Sequence, residues 1–579
     1  MNNYRSILLS FFIFLGGAAV GNAEVLDFCT KRDLELVDSV NQAHQNVADV
    51  IDRTKTKVGA ALFRKRLVDP LTDPQKILSC QAKTKSLVND QKRLVEIEKL
   101  LNYVKVYQES LTFFDPAMTP DSLKVVIDSF KYNTAFLSSW NDKPFALNVR
   151  HTLQSFSPLI TTAFEFLVLH FALEYLVTKY EKPTHTHKHG HKHKKHHAHG
   201  PDCVHCMEIP AGAPAIVKVI TKLIKAGHIA LHLISIKDMI EFVSTKMEVM
   251  NQVYQQLCAL QAVMDAVGQV ARLLGEQGVS ADLTSLQEHM ANGYFSQKLD
   301  DGDDLGLFSP VEQTLVSYAA IQKDMARLQN LKQFIADIDV DCSIARLILD
   351  NNGKDKRFCF VEIMNDQESK KEGPFVVMHD AWHVMLDQDK VVGNTIFTHN
   401  GPRKFVLTGP NRSGKSSFLR TVGLNAVLAQ AFGIAAAKQY MFTPFAKIMS
   451  FMTITDDITA GQSSHVARMI RADDMIRMQK NLSPAEYVLA LVDDSLGQAT
   501  TAVRGEQIAY DFVNTLGQYD NNLLFCVTHI PKLTTLAQAT NGRFVNMRMK
   551  VIKDAQGKGL ETYELEDGIS DPRDAGILA

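Results

Sequence analysis

A complete phosphate-binding loop constrains the fold of this chain more than any other feature. The loop fits the pattern G-x-x-x-x-G-K-[ST] in full and consists of Gly409, Pro410, Asn411, Arg412, Ser413, Gly414, Lys415 and Ser416. The apolar run 404–407 precedes it, and a helical pattern begins at Ser417. This order of strand, loop and helix is the context that the motif requires. The sequence therefore predicts a nucleotide site within an α/β domain.

The residue types in the loop predict how a nucleotide is held. Glycines let backbone N–H groups approach phosphates, and the N-terminus of the following helix carries a partial positive charge. We expect Lys415 to contact the β- and γ-phosphates and the Ser416 hydroxyl to bind Mg²⁺. Ser417 belongs to the same predicted cofactor-binding set. The predicted cofactors are ATP and Mg²⁺.

Two further apolar runs, 489–492 and 523–527, are each followed by polar residues that suit a nucleotide site. These residues are Asp493, Asp494, Ser495, Thr528 and His529. A carboxylate at the end of a neighbouring strand can hold the metal ion. A polar side chain such as that of His529 can sense the γ-phosphate. Asp493, Asp494, Ser495 and His529 are the candidate catalytic residues.

These motifs, together with residues 454–464 (ITDDITAGQSS), resemble the ATPase domain of MutS-type proteins. The family pattern at these points is roughly GPNMGGKST, DDLASGRST, DEIGRGTST and ATH. Upstream, 56–59 (TKVG) and 66–73 (RLVDPLTD) resemble the start of the MutS helical core. Trp382-His383 and Asn394 resemble residues in the opening strands of the family's ATPase domain. The resemblance covers about residues 40–579.

The resemblance implies a homodimer with composite ATP sites. Ser463 would reach, in trans, the γ-phosphate held by the other subunit, and His529 would sense the nucleotide state. Closure of the sites would be coupled to lever helices.

Ungapped alignment with DEIGRGTST places Asp494 at the Mg²⁺-binding acid and Ser495 at the position of the family's catalytic Glu. A serine cannot accept a proton from attacking water as a carboxylate can. We therefore expect ATP binding with slow hydrolysis or none. A register shifted by one insertion would instead make Asp493 the metal acid and Asp494 the base.

The charge balance does not favour nucleic acid. Lys and Arg number 62 against 64 Asp and Glu, and the net charge is −2, whereas phosphate binders usually carry a basic excess. The core-like segment begins near residue 40, so we expect no mismatch-reading domain. The region expected to hold a DNA clamp is acidic at 300–304 (DDGDD). Mismatch recognition is not expected, while other DNA binding by the dimer stays open.

Residues 1–23 have the pattern of an export signal. Arg5 precedes the apolar run 7–20, and Gly21-Asn22-Ala23 resembles a cleavage site. The alternative is an uncleaved anchor, and an ATPase that faces the cytoplasm also stays open. Because carboxylates are costly in a bilayer, Glu165 and Glu174 favour a buried helix at 153–180 over a membrane span.

A histidine-rich loop joins two apolar segments of a hairpin at about 155–240. Its candidate metal ligands are His185, His187, His189, His191, His193, Cys203, His205 and Cys206. Imidazoles and thiolates at this density suit Zn²⁺ or another transition metal. The alternative is a solvated polar insert. The other six cysteines show no framework spacing, so no disulfide is predicted.

Helical periodicity fills the chain before residue 350, with one helix predicted over 36–51 and a long final helix over 311–338. From Arg357, short β-rich runs alternate with helical stretches, which predicts a mostly parallel sheet. We therefore predict an all-α core and lever domain at 24–350 and a P-loop ATPase domain at 351–579.

Two functions are consistent with these patterns. The first is a MutS-like, DNA-binding, dimeric ATPase whose nucleotide state drives the lever helices. The second is an exported or membrane-associated nucleotide switch with a metal-binding loop and no DNA role.

Overall fold

The computed structural model places the chain in two compact units. It describes residues 24–38, 45–115, 117, 124–125, 127, 160–161, 163–175, 178, 213–290, 311–364, 373–452, 464–499, 502–553 and 559–571. The first unit comprises Met1–Lys105, Arg272–Leu274 and Lys332–Ala579, and the second comprises Val106–Ala271 and Gly275–Leu331. The predicted signal at 1–23, the histidine-rich loop and the acidic segment 300–304 lie outside the described residues.

Helices of 5 to 17 residues begin the first unit. They are α1 (Phe28–Asp33), α2 (Val47–Ile51), α3 (Lys57–Val68), α4 (Pro74–Asn89) and α5 (Gln91–Tyr107). The prediction of one helix over 36–51 is wrong, because the Asn46 side chain accepts the N–H of Asp49 at 2.9 Å and starts α2 as a separate helix. Such a capping box satisfies N–H groups that the first turn of a helix leaves free.

The next helices lie mainly in the second unit, although Arg272–Leu274 and Lys332–Asp350 belong to the first. They are α6 (Ser110–Phe113), α7 (described at 160–161 and 163–175), α8 (Ala213–Leu274), α9 (Ser280–His289), α10 (Val311–Lys323) and α11 (Met325–Asp350). The predicted single helix over 311–338 is interrupted at Asp324. The Asp324 carboxylate lies 2.5 Å from the Arg327 guanidinium and 3.0 Å from His289, so it ties the break to α9 and α11.

Helix α7 is exposed along most of its length, so the expectation of a buried helix at 153–180 is wrong for its described residues. Leu173 is 6% exposed, whereas Phe164 and Phe171 are 66% and 62% exposed. A different stretch, Ile236–Leu274 of α8, is long and apolar enough to cross a membrane. Of its most apolar window, 67% is buried inside the chain, as in a core helix.

Strands and helices alternate through the rest of the first unit. In chain order they are β1 (Cys359–Phe360), β2 (Glu362–Ile363), β3 (Val376–Ala381), β4 (Asn394–Phe397), β5 (Lys404–Thr408), α12 (Lys415–Phe432), β6 (Ile434–Ala435), β7 (Gln439–Phe442), β8 (Lys447–Phe451), α13 (Ser464–Asn481), β9 (Val488–Val492), a 3₁₀ helix (Asp494–Ala499), α14 (Ala502–Gly517), β10 (Asn522–Val527), α15 (Pro531–Thr534), α16 (Leu536–Ala539), β11 (Phe544–Lys553) and β12 (Gly559–Asp567).

The main sheet has six strands in the order β12-β11-β5-β10-β9-β8. Strands β11, β5, β10, β9 and β8 are parallel, and β12 is antiparallel at one edge. Strands β5, β9 and β10 are buried at every residue, as expected of a parallel sheet covered on both faces. The predicted fold class, a helical core with a mostly parallel P-loop sheet, is confirmed.

Smaller sheets accompany the main one. Strands β2-β7-β3-β4 form a four-stranded sheet and β1-β6 a pair. Trp382 follows β3, is buried, and donates its indole N–H to the Arg357 carbonyl at 3.1 Å. Asn394 at the start of β4 bonds both the Tyr563 carbonyl and the Leu565 N–H, so it connects this sheet to β12.

A buried carboxylate joins the start of α3 to α11. Asp339 accepts the N–H of Lys55 at 2.8 Å, and both the N–H and the hydroxyl of Thr56 at 2.7 Å. Burial raises the pKa of Asp339, and these hydrogen bonds oppose the rise. A Cβ at Gly59 would lie 2.1 Å from the carboxylate, so only glycine permits this approach.

Replacing Asp339 by Ala should lower the free energy of unfolding by about 3 kcal/mol, because it leaves buried N–H groups without an acceptor. Urea denaturation followed by tryptophan fluorescence measures the change. Asp473→Ala is the matched control, since the exposed pair of Asp473 with Arg477 should contribute less than about 0.5 kcal/mol. Equal losses in the two variants would contradict the prediction.

Candidate nucleotide-binding site

The topology of the main sheet brings the sequence motifs to one edge. Strand β5 lies beside β10, and β10 lies beside β9, all parallel. The phosphate loop follows β5, Asp493 and Asp494 follow β9, and Thr528 follows β10. Because parallel strands end at the same edge, residues more than a hundred positions apart in sequence meet there.

Backbone geometry holds the loop ready for an anion. Gly414 precedes α12 with φ +96°, which a residue with a side chain rarely adopts. A Cβ at Gly409 would lie 2.8 Å from the Ser413 hydroxyl, which donates to the Pro410 carbonyl at 2.8 Å. The loop therefore opens onto the N-terminus of an 18-residue helix, a site that favours phosphate.

Lys415 is the buried cation of the site. Its Nζ donates to the Gly409 carbonyl at 2.9 Å and to the Pro410 carbonyl at 2.7 Å. Burial lowers the pKa of Lys415 to about 8, and the charge of Asp494 opposes this shift. A phosphate beside this ammonium would stabilise the charged form.

Asp494 ties the ends of β9 and β10 together. Its carboxylate accepts the Thr528 hydroxyl at 3.1 Å and the His529 N–H at 2.5 Å. The His529 ring is exposed, and its pKa is lowered by partial desolvation and then by the charge of Lys415. Lys415, Asp494 and His529 thus form one electrostatic group.

Asp493 makes different contacts from Asp494. It accepts the Ser495 N–H at 2.9 Å, and its own N–H bonds the Phe451 carbonyl at 2.8 Å. Burial raises the pKa of Asp493 to about 7. Asp494 is therefore the carboxylate positioned toward the phosphate loop, and the ungapped register places Ser495 next to it.

The remaining predicted residues are distributed around this centre. Asn411, Arg412, Ser416 and Ser417 are exposed at the loop and the first turn of α12. Ser416 and Asp494 are an oxygen pair of the kind that Mg²⁺ accepts. Ser463 and the histidine and cysteine candidates lie outside the described residues. Within the described part of the chain, no group of three metal-binding side chains is found.

Two features of the site escaped sequence reasoning. A Cβ at Gly414 would lie 3.1 Å from the ring of Tyr563, which adopts φ +58° on β12. At the other end of α12, Gln430 donates to the Leu71 carbonyl at 2.7 Å and accepts the Phe445 N–H at 2.9 Å. No short motif marks these residues, because each acts through a partner distant in sequence.

Comparison with known proteins agrees with this geometry. The family model for MutS domain III matches residues 29–345, and that for MutS domain V matches residues 405–578. A protein of Thermosipho melanesiensis named DNA mismatch repair protein MutS is 22% identical over 96% of this chain and 61% of its own length. The protein of the same name in Clostridium kluyveri is 23% identical over 89% of this chain and 55% of its own length.

The namesake in Brevibacillus brevis is 27% identical over 43% of this chain and 27% of its own length. The chain thus spans 61% and 55% of the lengths of the two relatives that it matches almost throughout. Since the domain III model alone covers more than half of the residues and the domain V model covers the phosphate-loop region, this chain belongs to the MutS family.

Proposed function

We propose that this protein is a dimeric, MutS-type ATP-binding switch with weak hydrolysis. The observation that carries the proposal is the meeting of Lys415, Asp494 and His529 beside the phosphate loop. A cation, a carboxylate and a polar sensor at the carboxyl edge of a parallel sheet are the parts that a nucleoside triphosphate with Mg²⁺ requires.

The roles of the side chains follow from their chemistry. Lys415 and the N-terminus of α12 would bind the phosphates, and Ser416 with Asp494 would hold Mg²⁺. Bound Mg²⁺ would neutralise phosphate charge. The backbone N–H of His529 donates to Asp494. The His529 ring would therefore respond to a change in the charge near that carboxylate.

Helix α12 offers a route from the nucleotide to the helical core. Its N-terminus carries Lys415, and Phe432 at its last turn stacks on Phe63 of α3 at 4.6 Å. Gln81 of α4 donates to the Gly433 carbonyl at 2.9 Å just beyond the helix. A shift of α12 at the loop would therefore displace α3 and α4, which supports coupling between nucleotide state and core helices.

Weak hydrolysis follows from Ser495. Water attacking a γ-phosphate needs a group that accepts its proton or positions it, and a serine hydroxyl accepts protons poorly. The Asp493 carboxylate accepts the Ser495 N–H, and the charge that acts on Lys415 is that of Asp494, so Asp493 is poorly placed to substitute.

Lys415→Met should raise the Kd of a fluorescent ATP analogue at least about tenfold, because it removes the buried ammonium of the loop. Fluorescence anisotropy with Mg²⁺ present measures the binding. Lys480→Met, at an exposed lysine in the last turn of α13, is the matched control and should leave the Kd unchanged.

The pH dependence supplies a second readout for Lys415. A group whose pKa is about 8 in the free protein loses its charge as pH rises through that value. The affinity of the wild type should therefore weaken above pH 8, whereas that of Lys415→Met should not change. Equal affinity of the wild type and the variant at neutral pH would refute phosphate binding by Lys415.

Ser495→Glu should increase steady-state phosphate release roughly 10²-fold, because a positioned general base contributes about 10²–10⁴ in rate. Ser495→Ala is the matched control and should retain the slow rate of the wild type. Fast turnover in the wild type, or no gain in Ser495→Glu despite normal ATP binding, would count against the register that places Ser495 at the catalytic position.

We further propose duplex DNA, without mismatch selectivity, as a partner of the dimer. The relatives over most of the chain are named DNA mismatch repair proteins, which supports DNA as a partner. The formal charge of −2 favours a small contact confined to a local patch over a broadly basic surface.

Anisotropy of labelled duplex DNA at about 50 mM salt should reveal binding that falls as salt rises, because phosphate contacts release counterions. Matched and mismatched duplexes should bind equally. A bound nucleotide should change the affinity in the wild type and leave it unchanged in Lys415→Met. Absence of binding at low salt would exclude the DNA partner without affecting the nucleotide site.

A further inference from the structure

A basic pocket lies at the amino edge of the main sheet. Strands β11, β5 and β10 are parallel neighbours, so their first residues lie together at this edge. The pocket has a volume of about 410 Å³, within the range of roughly 300–1,000 Å³ for small-molecule sites. We call it the amino-edge pocket, and its charged lining consists of Arg403, Lys404, Asp520 and Arg543.

The amino-edge pocket is separate from the nucleotide site. Strand β5 begins at Lys404, in the pocket, and ends at Thr408, just before the phosphate loop. At about 3.3 Å per residue, the strand places about 13 Å between its two ends. A ligand in the pocket would therefore bind independently of a nucleotide at the loop.

Two arginines of the pocket occupy neighbouring positions on adjacent strands. The register pairs Lys404 of β5 with Phe544 of β11, so Arg403 and Arg543, which precede them, lie side by side. Neighbouring strands are about 4.8 Å apart, and like charges in opposite positions destabilise a sheet. An anion in the pocket would offset this repulsion, because it attracts both guanidinium groups.

Arg403 is fixed in place and keeps donor capacity. Its carbonyl accepts the Leu524 N–H at 2.8 Å, which holds its backbone beside β10. Gly373 lies against its guanidinium, since a Cβ at Gly373 would come within 3.2 Å of the Arg403 Cζ. Among the described residues, no hydrogen-bond partner is found for the buried Arg403 Nε. This cation is thus held at the pocket without a full set of acceptors.

The other two cations are bonded mainly to backbone carbonyls. Lys404 is 3% exposed, and its Nζ donates to the Asn522 carbonyl. Arg543 donates to the Gln518 carbonyl at 2.9 Å and lies 3.3 Å from Asp520. The Asp520 carboxylate is 87% exposed, so solvent screens its charge. The lining therefore places three cations against one screened carboxylate.

The electrostatics of Lys404 record this excess of positive charge. Burial and then the charges of Arg403 and Arg543 lower the pKa of Lys404 to about 7, while Asp520 opposes the shift. A nearby anion favours the charged form of a lysine. Binding of an anion above neutral pH should therefore be accompanied by uptake of a proton.

We propose that the amino-edge pocket binds a dianionic phosphate group, either free or carried by a small molecule. With Lys404 charged, the lining has a surplus of two positive charges, which matches the charge of about −1.5 to −2 on a phosphate monoester. Arginine and lysine are well suited to phosphate oxygens. Because Lys404 is buried, a phosphate reaches it only by entering the pocket. A terminal phosphate can enter more easily than the phosphodiester backbone of a duplex, which is substituted on both sides.

Isothermal titration calorimetry of the full chain with inorganic phosphate and with ribose 5-phosphate tests the proposal. Lys415→Met is the background, because it removes the buried cation of the nucleotide loop. In this background Arg403→Met should raise the Kd of the bound probe at least about tenfold. Arg477→Met, at an arginine that is 65% exposed on α13, is the matched control and should leave the Kd unchanged.

The two probes distinguish the sources of the phosphate group. Tighter binding of ribose 5-phosphate would identify a phosphorylated small molecule as the ligand, and tighter or equal binding of inorganic phosphate would identify the free ion. Melting temperatures verify that each variant is folded. If Arg403→Met does not fold, Arg543→Gln, at an exposed side chain, replaces it and should raise the Kd by a similar factor.

Proton uptake supplies a readout that a purely structural role would not change. At about pH 8, Lys415→Met should take up most of a proton on binding, because Lys404 changes from mostly neutral to charged. Titrations in two buffers of different ionisation enthalpy measure this uptake, and Lys404→Met in the same background should abolish it.

Three results would overturn the proposal. The first is binding of the probes by the wild type but not by Lys415→Met, which would place the phosphate at the nucleotide loop. The second is undiminished binding in a folded Arg403→Met variant. The third is loss of duplex DNA affinity in Arg403→Met without binding of either probe, because a nucleic acid would then contact this edge.

Discussion

The carboxylate of Asp494 is the contact on which the candidate site depends. It accepts the Thr528 hydroxyl and the His529 N–H, and thereby joins the ends of β9 and β10 beside Lys415. A buried carboxylate needs such donors, since its desolvation would otherwise raise its free energy by several kcal/mol. Lys415 depends on the same charge, because burial lowers its pKa while Asp494 opposes that shift. The cation of the loop, Lys415, and the carboxylate of Asp494 thus stabilise each other.

Helix α12 extends this centre into the helical part of the first unit. Its first residue, Lys415, belongs to the loop, while Gln430 near its end bonds the Leu71 and Phe445 backbones. Asp339 in turn fastens α11 to the start of α3. Residues 24–105 thus share one compact unit with the phosphate-loop sheet. The domain boundary at residue 350, between the helical core and the ATPase domain, stays a prediction.

Sequence reasoning succeeded where a signal is local. The apolar runs of β5, β9 and β10 predict buried parallel strands, and the loop glycines predict its conformation. It missed β11 and β12, because residues such as Arg548 and Glu566 pair across these strands at 2.8 Å and weaken the apolar pattern. It also misjudged α7, because Glu165 and Glu174 suggested burial in protein, whereas the helix lies exposed beside α8.

The sequence by itself determined the family resemblance, the phosphate loop and the acidic and histidine candidates, because each is a short motif whose chemistry depends on neighbouring residues. Only the tertiary structure decided that the charge of Asp494 acts on Lys415 while Asp493 bonds the Ser495 N–H, because the phosphate loop and the ends of β9 and β10 meet through contacts distant in sequence. Only it decided that α7 lies exposed beside α8. Orientation depends on contacts between residues far apart in the chain, such as Phe166 with His228, and periodicity cannot identify the partner that a helix face meets.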